Sequence, residues 1–421
     1  MIKKFISLSS ILFVGKAFSV VSSILLAKAL SVDSYGSYAY SISIITMFSV
    51  LSASSLGQIS IREISKNVAN INKFKAWVIR TSLILIFLLI AFYCIMSASG
   101  LIKVDWWQGY IFFIIAFIII VRSVVIIQSG WLNGLNFIKL SQITIRLAIP
   151  LALLITSVLL ITGLFNFSEF GLLSVHSLVY CVSALIGYFL LKKKLCDSNT
   201  EANCIDSASY RSDLNKALIP MTLITVVSVF NSEMVTLILG YVGNFEDVAL
   251  FKLASQIVLF MAMSQTAMNA VIMPALGRLM SKEKSNTDAI QKLTTKAVRV
   301  NSLFGVVFFV LFGLCGEWVI NLIFSDKFEM LYALAIVILI PQLFSIMCGP
   351  VNSIAMMLGG ERVILLSSSL SIACNILVLV SCYERFGIYS AAISTGVAYF
   401  VLNSSLVCYL YRCHGLKTWI K

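Results

Sequence analysis

Three charged residues stand inside long apolar segments of the sequence, and they are the first candidates for chemistry. Lys16, Arg122 and Glu233 lie near the middles of their segments. An ionised side chain at the centre of a bilayer costs about 2.5–3.5 kcal/mol on insertion scales, so we expect all three to face protein or water rather than lipid. The two bases predict a cavity that attracts an anion. Glu233 is a candidate carrier of a proton or a cation, or else the salt-bridge partner of one of the bases.

Further basic residues lie closer to the ends of such segments. Arg146 and Lys252 are nearer the ends than Lys16 or Arg122 are, and Lys28 is closer still. A long side chain in such a place either contributes to a binding cavity or extends along the helix to the lipid headgroups. Both interpretations stay open for these three residues.

The elements that position these charges follow from the composition. Of 421 residues, 60% are apolar and only 12% are charged, against roughly 25% charged residues in a soluble domain. The apolar segments are about 20 to 26 residues long, which predicts membrane-spanning helices rather than short alternating strands. We therefore predict an all-α polytopic membrane protein with about twelve transmembrane helices in two six-helix bundles. The predicted spans are 5–30, 38–60, 77–97, 108–130, 141–163, 170–191, 217–242, 249–273, 299–323, 331–358, 363–383 and 388–411.

The longest polar segment separates the sixth span from the seventh. It covers residues 192–216 and carries charges of both signs. The predicted organisation is an N-terminal six-helix bundle over 1–191, a cytoplasmic linker over 192–216, a C-terminal six-helix bundle over 217–411 and a cytoplasmic tail over 412–421.

The distribution of lysine and arginine predicts the orientation. Segments on one side of the predicted spans hold 21 of these residues, whereas the loops on the other side hold three, namely Lys103, Lys327 and Arg385. Basic loops are retained in the cytoplasm, so both termini are predicted to be cytoplasmic. The net charge of +13 therefore reports membrane orientation, and we expect no nucleic acid as a partner.

The sequence offers little for catalysis. Its only histidines are His176, in the sixth span, and His414, in the tail, so neither a histidine-based triad nor a histidine metal cluster is predicted. There is no Walker motif, and the predicted outer loops are short and lack paired carboxylates. We therefore expect no enzyme activity, metal or cofactor, and we interpret the chain as a secondary transporter built from two six-helix halves.

A succession of short motifs resembles the Wzx-type O-antigen flippases, the polysaccharide-transport branch of the MOP (MATE-like) exporter superfamily. In the first half the motifs are Gly15-Lys-Ala-Phe-Ser, Leu25-Leu-Ala-Lys-Ala-Leu-Ser, Ser34-Tyr-Gly-Ser-Tyr and Leu56-Gly-Gln-Ile-Ser-Ile-Arg. In the second half they are Ile219-Pro, Pro274-Ala-Leu-Gly-Arg-Leu, Met357-Leu-Gly-Gly-Glu and Tyr383-Glu-Arg-Phe-Gly-Ile-Tyr-Ser. The resemblance spans nearly the whole chain, and the order and spacing of the motifs carry it.

The resemblance implies a V-shaped pair of bundles in the bacterial inner membrane. By alternating access, such a protein moves undecaprenyl-pyrophosphate-linked repeat units of O-antigen or another surface polysaccharide to the periplasmic leaflet, in some members with ion coupling. It implies membrane lipids as surroundings, with a polysaccharide polymerase and a chain-length regulator as candidate partners in lipopolysaccharide biosynthesis. By motif match, substrate-binding roles extend to Lys28 and Arg62. Lys16, Arg122, Arg146 and Lys252 as substrate-binding residues, and Glu233 as ion-coupling residue, rest on burial alone.

Two other functions remain open. A MATE-type multidrug or cation antiporter would export organic cations and should prefer a cavity rich in Asp and Glu, whereas the charges predicted inside these spans are mostly basic. A membrane scaffold for glycan assembly, with no transport activity, predicts instead that the central charges are replaceable.

Overall fold

A computed structural model describes residues 2–66, 71–100, 109–135, 137–163, 169–196, 207–280 and 287–418, and every regular element in these ranges is helical. The all-α prediction is therefore confirmed. The α-helices are α1 Ile2–Ala29, α2 Val32–Lys66, α3 Ile71–Ala98, α4 Gly109–Gly134, α5 Ile138–Gln142, α6 Ile149–Ile161, α7 Glu169–Cys196, α8 Ser207–Val242, α9 Phe245–Met280, α10 Thr287–Phe324, α11 Leu331–Cys348, α12 Val351–Met357, α13 Glu361–Phe386 and α14 Tyr389–His414. A π-helical segment, Ile143–Ala148, joins α5 to α6, and a short 3-10 helix, Ser325–Phe328, follows α10.

Eleven helical segments among the described residues are long and apolar enough to cross a membrane. They correspond to the second to twelfth predicted spans, and α1 occupies the place of the first. Many large apolar side chains face outwards, such as Phe87 in α3 and Leu314 in α10, which are 72% and 77% exposed. A bilayer solvates such surfaces, so the chain is a multi-pass membrane protein.

The chain divides into two compact units, Met1–Glu233 and Met234–Lys421. In the first unit α2 packs against α3 and α4, α4 packs against α7, and α1 packs against α6 and the π-helical segment. In the second unit α14 packs against α11 and α13, while α9, α10 and α11 pack against one another. The change of unit falls inside α8, which already begins at Ser207. The second part of the predicted linker is thus helical and continuous with the seventh span.

Among the described residues, two spans depart from regular α-helix. The tenth span breaks at Gly349, which has a φ of 81° and follows the last residue of α11. Pro350 comes next, and α12 begins after it, as expected where glycine and proline are adjacent. Within the fifth, Pro150 lacks the amide that would pair with the Arg146 carbonyl in an α-helix, which accounts for the local π-helical pattern. The π-helical segment was not predicted from the sequence.

Candidate functional site

A close backbone approach joins α1 to the π-helical segment. A β-carbon added to Gly15 would lie 1.7 Å from the carbonyl oxygen of Arg146. No side chain fits in that space, so only glycine permits this contact. The Gly15-Lys-Ala motif is thereby explained, because its glycine brings the neighbouring Lys16 up to the segment that carries Arg146.

Lys16 and Arg146 form a pair of cations. Lys16 is half-buried and Arg146 is exposed. Because the contact between Gly15 and the Arg146 carbonyl oxygen brings their segments together, we expect the two like charges to repel each other. Two like charges held together inside the spans are costly unless water or an anion offsets them. A ligand with two adjacent negative groups would remove this repulsion.

A third basic side chain, Arg122 in α4, contacts a neutral hydroxyl group and an aromatic ring. Its Nη1 donates a hydrogen bond to Thr46 Oγ1 at 2.6 Å, and its guanidinium carbon lies 5.7 Å from the centroid of the Tyr180 ring. The geometry is that of a cation–π contact. A guanidinium has five N–H donors and Thr46 occupies one of them, so Arg122 retains capacity to bind an anion.

Arg122 adjoins a set of buried polar side chains that links three other helices of the first unit. Two hydrogen bonds connect these side chains. One joins Tyr38 Oη to His176 Nε2 at 2.6 Å, and the other joins Ser23 Oγ to Tyr35 Oη at 2.5 Å. The His176 ring also packs against the Tyr180 ring, which makes the cation–π contact with Arg122. His176 Nδ1 is buried and has no hydrogen-bond partner in the described part of the chain. These contacts tie α1, α2 and α7 to the helix that carries Arg122.

The three cations share the absence of an acidic partner. Within the ranges that the structure describes, no carboxylate lies within 4.0 Å of the charged nitrogens of Lys16, Arg122 or Arg146. Their charge is therefore not neutralised by the described protein groups. The first unit carries positive charge inside its spans, and this arrangement can bind an anion.

The other predicted site residues are placed differently. Lys28 is exposed near the end of α1, and Arg62 pairs with its neighbour Glu63, Nε to Oε1, at 2.9 Å. Lys252 is half-buried in α9 of the second unit. Glu233 is half-buried in α8 and is the last residue of the first unit. The structure therefore groups Lys16 with Arg146, and the roles of all these residues stay predictions.

Sequence reasoning missed the neighbours of Arg122. His176 was considered only for catalysis or metal binding, and neither fits a lone histidine. Its hydrogen-bond partner Tyr38 is 138 residues away in the sequence. The sequence contains one indication of this polar cluster. Tyr35 and Tyr38 lie one helical turn apart in the Ser34-Tyr-Gly-Ser-Tyr motif and so face the same side of a helix.

Comparisons with solved structures identify the fold. The chain is similar to an inward-facing multidrug-resistance MATE family transporter of the MOP superfamily, with a TM-score of 0.72 and 13% identity over 94% of this chain and 93% of the other. It is also similar to the lipid II flippase MurJ in an inward closed conformation, with a TM-score of 0.76 and 13% identity over 96% of this chain and 87% of the other. At these identities the likeness shows the fold alone, which this chain shares with both proteins. No curated protein matches the sequence significantly.

A comparison with family models identifies the family of the chain, which the fold alone does not. The family described as polysaccharide biosynthesis protein matches residues 1–280, about two thirds of the chain. This range contains Lys16, Arg122, Arg146 and their neighbours. Together the family and the fold support a membrane transporter or flippase. The chain therefore belongs to the polysaccharide biosynthesis protein family.

Proposed function

We propose that this protein is a flippase for lipid-linked oligosaccharides. Its substrate is an undecaprenyl-pyrophosphate-linked repeat unit of O-antigen or a related surface polysaccharide, carried from the cytoplasmic to the periplasmic leaflet of the bacterial inner membrane by alternating access. One observation carries the proposal: three cations lie within the spans of the first unit without a carboxylate partner among the described residues. Placing such charges in a membrane is costly unless an anion or water meets them.

The chemistry of the substrate matches the arrangement of the bases. A pyrophosphate presents two adjacent anionic groups, and Lys16 and Arg146 present two adjacent cations. Arg122 supplies further guanidinium donors, which suit phosphate oxygens. The polyprenyl tail can remain in lipid while the headgroup and sugars are enclosed. In this proposal the protein changes no covalent bond and acts as a transporter rather than an enzyme.

The test replaces the paired cations and measures glycan display. We expect Lys16→Ala or Arg146→Ala to abolish surface polysaccharide in cells that lack the endogenous flippase, while membrane abundance stays normal. Arg80→Ala is the matched control, because Arg80 is an exposed base in α3, and it should leave display intact. Normal display by both Lys16→Ala and Arg146→Ala would contradict the flippase and favour a scaffold.

A dye-efflux assay addresses the antiporter alternative. A flippase of this kind should leave the cellular accumulation of a cationic dye unchanged when it is expressed. Efflux that is lost with Glu233→Gln and unaffected by Lys16→Ala would overturn the proposal in favour of cation export.

The direction of transport depends on the predicted orientation. Reporter fusions after Lys194 and Lys284 should give cytoplasmic signals, and fusions near Lys103 and Lys327 periplasmic ones, because basic segments remain inside. Reversal at any two of the four positions would contradict the twelve-span arrangement.

A further inference from the structure

A basic groove lies on α10 in the second unit. Its volume is about 530 Å³, and its lining includes Gln291, Lys292, Thr295, Lys296, Arg299 and Val300. Lys292, Lys296 and Arg299 are all exposed. At 100° per residue they fall within about 60° of one another, so the three charges share one face of the helix.

The same face becomes apolar further along α10. Leu303, Val307, Val310 and Leu314 follow the basic residues, and they are 67%, 47%, 48% and 77% exposed. At 100° per residue all four fall within about 60° of one another and overlap the basic stripe. One continuous surface stripe therefore changes from cationic to lipid-facing.

The apolar part of this stripe is about as long as the hydrocarbon core of a bilayer is thick. From Val300 to the exposed Trp318, α10 rises about 27 Å, close to the hydrocarbon thickness of about 30 Å. Tryptophan favours membrane–water interfaces, so Trp318 marks the interface opposite the basic residues. Lys292 and Lys296 thus stand about one to two helical turns beyond the apolar part, at the depth of lipid phosphates.

The C-terminal segment places a fourth basic residue, Lys417, beside the groove. Gln291 Nε2 donates hydrogen bonds to the Lys417 carbonyl oxygen at 2.6 Å and to Thr295 Oγ1 at 3.0 Å, and the Lys417 amide donates to Gln291 Oε1 at 2.8 Å. Thr418 next to it is fully buried. The segment is therefore fixed against the helical turn that carries Lys292.

We propose that this groove binds the phosphate headgroup of an anionic phospholipid, whose acyl chains lie along Leu303, Val307 and Leu314. The chemistry that recognises the ligand is a phosphate joined to apolar chains: Lys292, Lys296 and Arg299 meet the charge, Thr295 offers a hydroxyl, and the apolar stripe meets the tail. The site lies outside the Lys16–Arg146 pair and does not depend on the transported substrate.

The test measures lipid retention by the purified full-length protein. Native mass spectrometry with added phosphatidylglycerol or phosphatidylcholine should show preferential retention of phosphatidylglycerol. Lys292→Gln with Lys296→Gln should weaken this retention about 25-fold, about fivefold per basic residue at a membrane surface. Lys292→Arg with Lys296→Arg should preserve it, which controls for folding.

A second double variant separates a groove from general basicity. Lys192→Gln with Lys193→Gln removes two exposed lysines from the end of α7, and consecutive residues of a helix do not face the same side. We expect this pair to leave phosphatidylglycerol retention unchanged. An equal loss in both double variants, or equal retention of phosphatidylcholine, would overturn the proposal. Displacement of phosphatidylglycerol by an equal amount of farnesyl pyrophosphate would assign the groove to an isoprenoid ligand and also overturn it.

Discussion

The first unit carries more cations inside its predicted spans than the second unit does. The first unit holds Lys16, Arg122 and Arg146, with no acidic partner among the described residues. In the second unit Lys252 is half-buried, and the fully buried polar groups that the structure describes there are neutral, such as Gln342, Ser371 and Asn403, which are 3%, 1% and 4% exposed. Several of these neutral groups are satisfied within their helical bundle.

The hydrogen bonds of the second unit illustrate the difference. Ser371 Oγ donates to the Ala398 carbonyl oxygen at 2.8 Å, and Asn403 Nδ2 donates to the Tyr399 carbonyl oxygen at 2.7 Å. Neutral side chains of this kind commonly hold membrane helices together. Charges are more costly in the same position and mark ligand or ion pathways. We therefore infer that the neutral polar groups of the second unit serve packing and that the cations of the first unit serve transport.

The largest expected effect comes from reversing the charge of one paired cation. Lys16→Glu would pair with Arg146 and cancel the positive charge that we assign to pyrophosphate binding, so we expect glycan display to disappear while protein abundance stays near normal. In the second unit Gln342→Glu puts a carboxylate into a site that is 3% exposed. Because a buried unpaired charge destabilises the fold, we expect several-fold lower abundance. Immunoblots measure protein abundance and glycan gels measure surface polysaccharide in the same cells. Glycan display retained by Lys16→Glu would contradict the proposed transport role of the cations in the first unit.

A smaller effect is expected from adding one methyl group at a helix contact. In Gly15→Ala the new β-carbon would meet the Arg146 carbonyl oxygen at 1.7 Å, whereas in Gly396→Ala it would meet Pro341 Cγ at 3.3 Å. The overpacking in Gly15→Ala should lower the free energy of unfolding by about 1–3 kcal/mol. In Gly396→Ala the neighbouring proline ring needs to move only slightly. Thermal unfolding of purified variants should show a clearly lower Tm for Gly15→Ala and little change for Gly396→Ala. Equal Tm values would mean that α1 does not pack against the π-helical segment so closely.

The subtlest expected effect concerns Glu233, the last residue of the first unit. If this carboxyl carries a proton, Glu233→Gln fixes its charge at zero, slows flipping and removes the dependence on a proton gradient, while the lipid-linked substrate still binds. If it is instead a structural partner of a base, the same variant lowers the amount of folded protein. Transport and abundance measured in the same vesicles distinguish these roles. Normal abundance with unchanged gradient dependence would contradict both.

The sequence predicted the helical class and most spans because apolar length alone determines them. Lys16 and Arg122 were also identifiable, because the position of a charge in the middle of an apolar segment can be read from the sequence without knowing which residues surround it. The proximity of Arg146 to Lys16 was not predictable, because it depends on Gly15 and on the π-helical pattern before Pro150.

Other features could not be identified from local sequence. The start of α8 at Ser207 was missed because a polar helix outside the bilayer gives no apolar signal. Arg62 matched a family motif, yet its ion pair with Glu63 depends on side-chain geometry. The Tyr38–His176 hydrogen bond depends on how α2 and α7 pack, which no single segment encodes.

The central claim is that the cations of the first unit bind a pyrophosphate, and a binding measurement tests it most directly. Farnesyl pyrophosphate and farnesol differ only in the anionic group, so their affinities for the purified protein isolate its contribution. We predict that the wild-type protein binds farnesyl pyrophosphate much more tightly than farnesol. Lys16→Ala with Arg146→Ala should weaken pyrophosphate binding at least about 10-fold, since hydrogen bonds to charged groups contribute about 1.5–3 kcal/mol each. Equal binding of the two ligands, or unchanged pyrophosphate affinity in the double variant, would contradict the account.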